Sequence, residues 1–105
     1  MNLYTDQELK ANWLIGEVCA EHRRQIAKWG VQTRTAFEWT TYLTEEMGEL
    51  AEAVSEREWR GGTSEAVVKE AIQVATLALK IAEMYKDCKG QTGTIGRSYR
   101  TGEPK

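Results

Sequence analysis

Apolar residues along this chain recur in steps of three and four, the period of an α-helix, and no stretch alternates in the two-residue rhythm of a strand. The pattern predicts three main helices. The first begins near Asp6, a good N-cap, and carries a stripe through Leu14, Ile15, Val18, Ile26 and Trp29 before Gly30 ends it. A polar connection from Gly30 to about Phe37 follows, with Gln32, Thr33, Arg34 and Thr35. The second helix starts between Ala36 and Thr40 and runs to about Trp59, with Leu43, Met47, Leu50 and Val54 stepping along one face. Gly61 and Gly62 end it. Ser64 then caps a third helix that reaches about Lys86, and Glu65 suits the positive end of its dipole.

The third helix is apolar on nearly all sides. Val67, Val74, Leu77, Ile81 and Met84 form one face, and Val68, Ile72 and Leu79 make the opposite flank apolar too. Such a helix needs covering from two directions, more than one small chain readily supplies. Self-association is therefore expected. After Cys88 the chain turns to Gly90, Gly93, Gly96 and Gly102 among Ser, Thr and Arg, which reads as a flexible basic tail over 89–105 behind a helical domain over 1–88.

Composition agrees with the periodicity. The only proline is Pro104, so nothing before it breaks a helix covalently, and 105 residues suffice for one domain. The class is all-α: a bundle of three main helices with short segments, completed as a homodimer or homotetramer. Residues 89–105 carry a net charge of +3, which leaves the body near −5. An acidic body suits cations better than nucleic acid, and no basic helix face appears. Cys19 and Cys88 lie far apart and read as two free thiols. No stretch reaches the roughly 20 apolar residues of a membrane span, and no leader pattern is present, so a cytoplasmic protein is expected.

The chemistry lies in the glutamates. With Met47 taken as the centre of the buried face, Glu46 falls about 100° to one side and Glu49 about 60° beyond it. Glu45, Glu52 and Glu56 point away. Glu46 and Glu49, three residues apart, can converge on one cation; without one they repel. A merely solvated acidic face is the alternative. Glu70, on the third helix, falls within the apolar set, where an ionised carboxylate without a partner costs several kcal/mol. It must be protonated, paired with an arginine, or bound to a metal. Gln73 follows on the same side with an amide oxygen to offer. Oxygen ligands without cysteine or histidine select Mg²⁺ or Mn²⁺, and Mg²⁺ usually completes its shell with water and substrate phosphates. Lys80, two turns after Gln73, is a candidate for a β or γ phosphate, with Lys28, Arg23, Arg97 and Arg100 behind it. Gln25 and Trp29 are candidates for touching a base. Trp39 and Trp59 are either core anchors or base platforms, and His22 reads as a structural histidine near the first stripe.

At these residues the sequence resembles the all-α nucleoside triphosphate pyrophosphatases of the MazG-like superfamily. Their pattern is EExxE, a gap of somewhat over a dozen residues or more, then ExxD. Here it reads Glu45-Glu46-Met47-Gly48-Glu49 and Glu70-Ala71-Ile72-Gln73, and the strings LTEEMGELAEAV, KEAIQVATLALKIAEM and RRQIAKWG look like a phage or bacterial branch. The resemblance spans about Glu21 to Tyr85. It implies an oligomeric helical bundle that cleaves a nucleoside triphosphate (NTP or dNTP) between the α and β phosphates, giving a monophosphate and pyrophosphate. Carried over by position, it implies metal ligation by Glu46, Glu49 and Glu70, with Glu45 behind them or positioning the attacking water. Gln73 stands where the pattern has aspartate and withholds one negative charge, which weakens one metal position or lowers the metal count. The competing expectations are a non-catalytic nucleotide-binding or structural module, and a partner-binding helical adaptor.

Overall fold

The computed structural model describes residues 3–5 and 9–88. It consists of α1 (Asn12–Trp29), α2 (Ala36–Trp59) and α3 (Ser64–Tyr85), with no strand among the described residues. Asp6 and the tail over 89–105, with Arg97 and Arg100, lie outside them. No helix among the described residues is long and apolar enough to cross a membrane.

The helix ends follow from local chemistry. The first helix starts at Asn12 rather than near Asp6, and Ala11 before it supplies no side-chain cap. Leu9 just upstream is 95% exposed. With nothing to pack on, an extra turn would have to form on propensity alone, which is marginal in water. The second helix starts on a full capping box: Glu38 N donates to Thr35 Oγ1 at 3.1 Å, and Thr35 N donates to Glu38 Oε1 at 2.8 Å. Such a cap contributes about 1 kcal/mol. At its end the N–H groups of Arg60 and Gly62 both reach the Glu56 carbonyl. Gly61 sits at φ +78°, and a Cβ on Gly62 would lie 2.9 Å from that of Glu56, so both positions require glycine.

The cap of the third helix is Thr63, not Ser64. Thr63 has the extended backbone of an N-cap and accepts from Ala66 N at 3.1 Å. Ser64 instead accepts from Arg57 Nε at 3.0 Å, tying the end of α2 to the start of α3.

The third helix is central. Both α2 and α1 pack against it, whereas no Cα of α1 comes within 8 Å of one in α2. The pairs Trp39–Lys80, Glu46–Gln73 and Glu49–Glu70 face one another with a constant sum of residue number, as antiparallel helices require. The buried set among the described residues is small: Trp39, Ile72, Thr76 and Leu77, with the Thr76 hydroxyl donating to Ile72 O at 2.7 Å.

One expectation about α2 is overturned. Met47 is 54% exposed and Val54 41%, so the buried face is not centred on their stripe, of which Leu43 and Leu50 are half-buried. The inward face runs through Trp39, Tyr42, Glu46, Leu50 and Ala53, turned about 100° from Met47 and centred on Glu46. Periodicity finds the greasiest stripe, but nothing among the described residues covers Met47 and Val54. The first helix keeps Leu14, Val18 and Ile26 of its predicted stripe inward. Ile15 and Trp29 of that stripe are exposed, and Glu21 and Gln25 join the inward positions. His22 is exposed rather than packed, Trp59 is exposed, and both cysteines are free.

Candidate functional site

Because the α1 and α2 backbones stand apart, with no Cα pair within 8 Å, a groove of about 1190 Å³ opens between them over α3. Its aromatic lining comes from Trp29, Trp39 and Tyr42, and its polar lining includes Gln25, Arg34, Glu45, Glu46, Gln73 and Lys80. The face-to-face register places an acidic cluster at one end. Ligand oxygens of Glu46, Glu49 and Glu70 all lie within 4.8 Å of one another. Glu46 belongs to the large groove, while Glu49 and Glu70 line a smaller cavity of about 360 Å³ beyond it, beside the start of α3.

Charges at that spacing repel by roughly 1 kcal/mol in water and by about 4 at the effective dielectric of a protein surface. The strain appears in Glu46, whose carboxyl is held above its ordinary value of 4.5. Burial is the largest cause, followed by the charges of Glu49 and Glu70, a hydrogen bond with Glu70 and the charge of Glu21. Gln73 mitigates the repulsion. With its amide turned so that Nε2 faces the carboxylates, it donates to Glu46 Oε1 at 2.8 Å and Glu70 Oε1 at 3.0 Å. Gln73 therefore clasps two of the three glutamates across the helix seam.

The three carboxylates fit a small hard cation. Mg²⁺ takes oxygen ligands at about 2.1 Å in an octahedron, which sets neighbouring oxygens about 3 Å apart and opposite ones about 4 Å apart. The cluster, whose ligand oxygens lie within 4.8 Å of one another, is close to those distances. Glu45 is exposed at the groove, beside but outside this cluster.

The far end of the seam carries the opposite chemistry. The Lys80 ammonium lies 5.1 Å from the centre of the Trp39 ring and donates to Gln25 Oε1, while Gln25 Nε2 donates to Glu21 Oε2 at 2.9 Å. Burial holds the Lys80 amine below its ordinary value, with Glu21 opposing. The Gln25 amide is thus engaged at both ends within the chain, as a brace for Lys80 rather than an open donor towards a base. Trp29 lines the groove from its exposed end position, and Lys28 stands outside it, 4.6 Å from the Trp29 ring.

Among the groove residues, Glu21, Arg34 and Tyr42 escaped the sequence reading. Glu21 has a side chain 13% exposed and accepts from Arg24 as well as Gln25. Its signal was present, an acid with partners three and four residues on, but it was submerged in a charged run. Arg34 lies in the connection, where no periodicity points it inward. Compared with protein families, with curated proteins and with solved structures, the chain matches none.

Proposed function

We propose that the chain is a Mg²⁺-dependent nucleoside triphosphate pyrophosphohydrolase of the MazG-like type. The observation that carries this is the convergence of Glu46, Glu49 and Glu70 within 4.8 Å at one end of a groove large enough for a nucleotide. Those three residues hold the cation, with Mn²⁺ as an alternative to Mg²⁺. When bound, it lowers the charge barrier to attack on phosphorus and offsets charge on the departing pyrophosphate. Gln73 keeps Glu46 and Glu70 aimed at a common point. Glu45, exposed at the groove and free of the cluster, accepts the proton of the water that attacks the α-phosphorus. The bond from that phosphorus to the bridging oxygen breaks, and pyrophosphate leaves with the electron pair. Trp29 offers apolar surface to the base, and Lys80, braced by Gln25, offers positive charge.

The exposed apolar residues Met47, Val54, Val68 and Leu79 support a homo-oligomer as the working form. Light scattering that reports a stable monomer removes that part of the proposal. The function is tested with a panel of canonical and modified nucleotides, with Mg²⁺ or Mn²⁺, assayed for pyrophosphate. Release from at least one is the expected result, and silence across the panel ends the hydrolase reading.

One observation favours a second reading. The Gln73 amide already satisfies Glu46 and Glu70, so the cluster can persist without a cation, as in a nucleotide-binding or structural module that no longer turns over. Binding of nucleotide without pyrophosphate release distinguishes it.

A further inference from the structure

Arg34 lines the groove, and its guanidinium carbon lies 5.1 Å from the centre of the Tyr42 ring. Its Nε is buried and finds no hydrogen-bond partner among the described residues. Nor does Arg34 form an ion pair among the described residues, although Glu21, Glu45 and Glu46 line the same groove. Lys80, which also lines the groove and lies over an aromatic ring, is already engaged by Gln25. Arg34 is therefore aimed by stacking, not by a carboxylate, and leaves a buried charged donor without an acceptor. Such a group is costly unless a ligand supplies the acceptor.

The position selects the ligand. Tyr42 precedes Glu46 by one turn of α2, roughly 6 Å along the axis. Arg34, Tyr42 and Glu46 thus line the same groove, whereas Glu49 and Glu70 line the smaller cavity. An arginine fork with one face already on a ring presents its edge, which suits two oxygens of a phosphate. We propose that Arg34 is a phosphate-binding residue, gripping the phosphate chain of the nucleotide while the glutamates hold the cation. The proposal rests on the pyrophosphohydrolase reading and adds the residue that positions the chain.

The test titrates inorganic tripolyphosphate into the full chain at saturating Mg²⁺, by calorimetry, and Mn²⁺ alone, by electron paramagnetic resonance. Arg34→Gln should weaken tripolyphosphate binding by roughly tenfold or more, and Arg34→Lys by less, since it keeps the charge and loses the fork. Mn²⁺ affinity should not change in either variant. If Arg34→Gln fails to fold by circular dichroism, Arg34→Lys carries the comparison. Tripolyphosphate binding equal to wild type in the folded variants overturns the role of Arg34 and leaves the pyrophosphohydrolase reading intact. A parallel loss of Mn²⁺ affinity also overturns it, because Arg34 would then act through the fold of the metal site. Wild-type protein that binds neither tripolyphosphate nor any nucleoside triphosphate overturns both.

Discussion

The two ends of the α2–α3 seam are built from the same register and opposite chemistry. At one end Glu49 faces Glu70 and Glu46 faces Gln73; at the other Trp39 faces Lys80. The second pairing is self-sufficient: the ammonium has a ring beneath it, and the indole is buried. The first is not, because three carboxylates share one amide and Glu46 is driven towards its protonated form. Tertiary packing thus stabilises one end, and the other keeps negative charge that Gln73 offsets only in part.

The largest effects should separate the ends by what they lose. Glu70→Gln or Glu49→Gln should lower pyrophosphate release roughly a thousandfold, about 4 kcal/mol of barrier, with the fold retained. Lys80→Met should cost about tenfold, since it removes a charge near the substrate and not the cation site. Equal losses in the pyrophosphate assay would erase the distinction between the ends.

Stability should show the reverse order. Trp39→Ala removes the largest buried side chain of the seam and should cost about 3 kcal/mol in urea unfolding. Met47→Ala should cost less than about 1 kcal/mol in dilute monomer, because its side chain is half exposed. A Met47→Ala cost that grows with protein concentration would show that a second copy covers that face.

These two positions also mark what could be read from the chain. The three helices were legible, with α2 and α3 ending within a residue or so of their predicted limits, because caps and glycine pairs are local signals. So was the grouping of Glu46, Glu49 and Glu70, since spacing along each helix puts them on one side and antiparallel pairing does the rest. The inward face of α2 was not. A projection weights each side chain by its own hydrophobicity, and Met47 and Val54 outweigh a face that contains Glu46. The true orientation depends on Trp39 docking against α3, a contact between residues far apart in sequence. Arg34 was hidden for a related reason. Its placement comes from stacking on Tyr42 across a connection that has no period.

Gln73 sharpens the comparison from within the acidic end. Gln73→Asp replaces a donor that serves two carboxylates with a fourth negative charge. Without metal the variant should lose about 1–2 kcal/mol of stability, from the broken clasp and the added repulsion. Its Mg²⁺ affinity should rise by about tenfold, as expected for one more anionic ligand. Calorimetric Mg²⁺ titration and metal-free thermal melts measure the two halves. Unchanged metal affinity would mean that position 73 never reaches the ion.

The acidic end should also show a pH dependence with an unusual sign. The Glu46 carboxyl titrates above its ordinary 4.5, so between that value and its raised folded value the folded chain holds more of a proton than the unfolded chain does. Metal-free stability must then fall as pH rises through this window, and the full penalty remains above it. Many paired carboxylates do the opposite, gaining stability as they ionise. Glu46→Gln removes the titration and keeps an oxygen that can accept from Gln73. It should therefore flatten this slope and raise metal-free stability at neutral pH by about 1 kcal/mol, a few degrees of melting temperature. The same substitution should abolish the stabilisation that saturating Mg²⁺ confers, about 2.7 kcal/mol at a hundredfold excess over its dissociation constant. Thermal melts from about pH 4 to about pH 8, with and without Mg²⁺, read both quantities. Wild-type stability that rises with pH across the window, with Glu46→Gln following the same curve, would show that the acidic end carries no unmet charge.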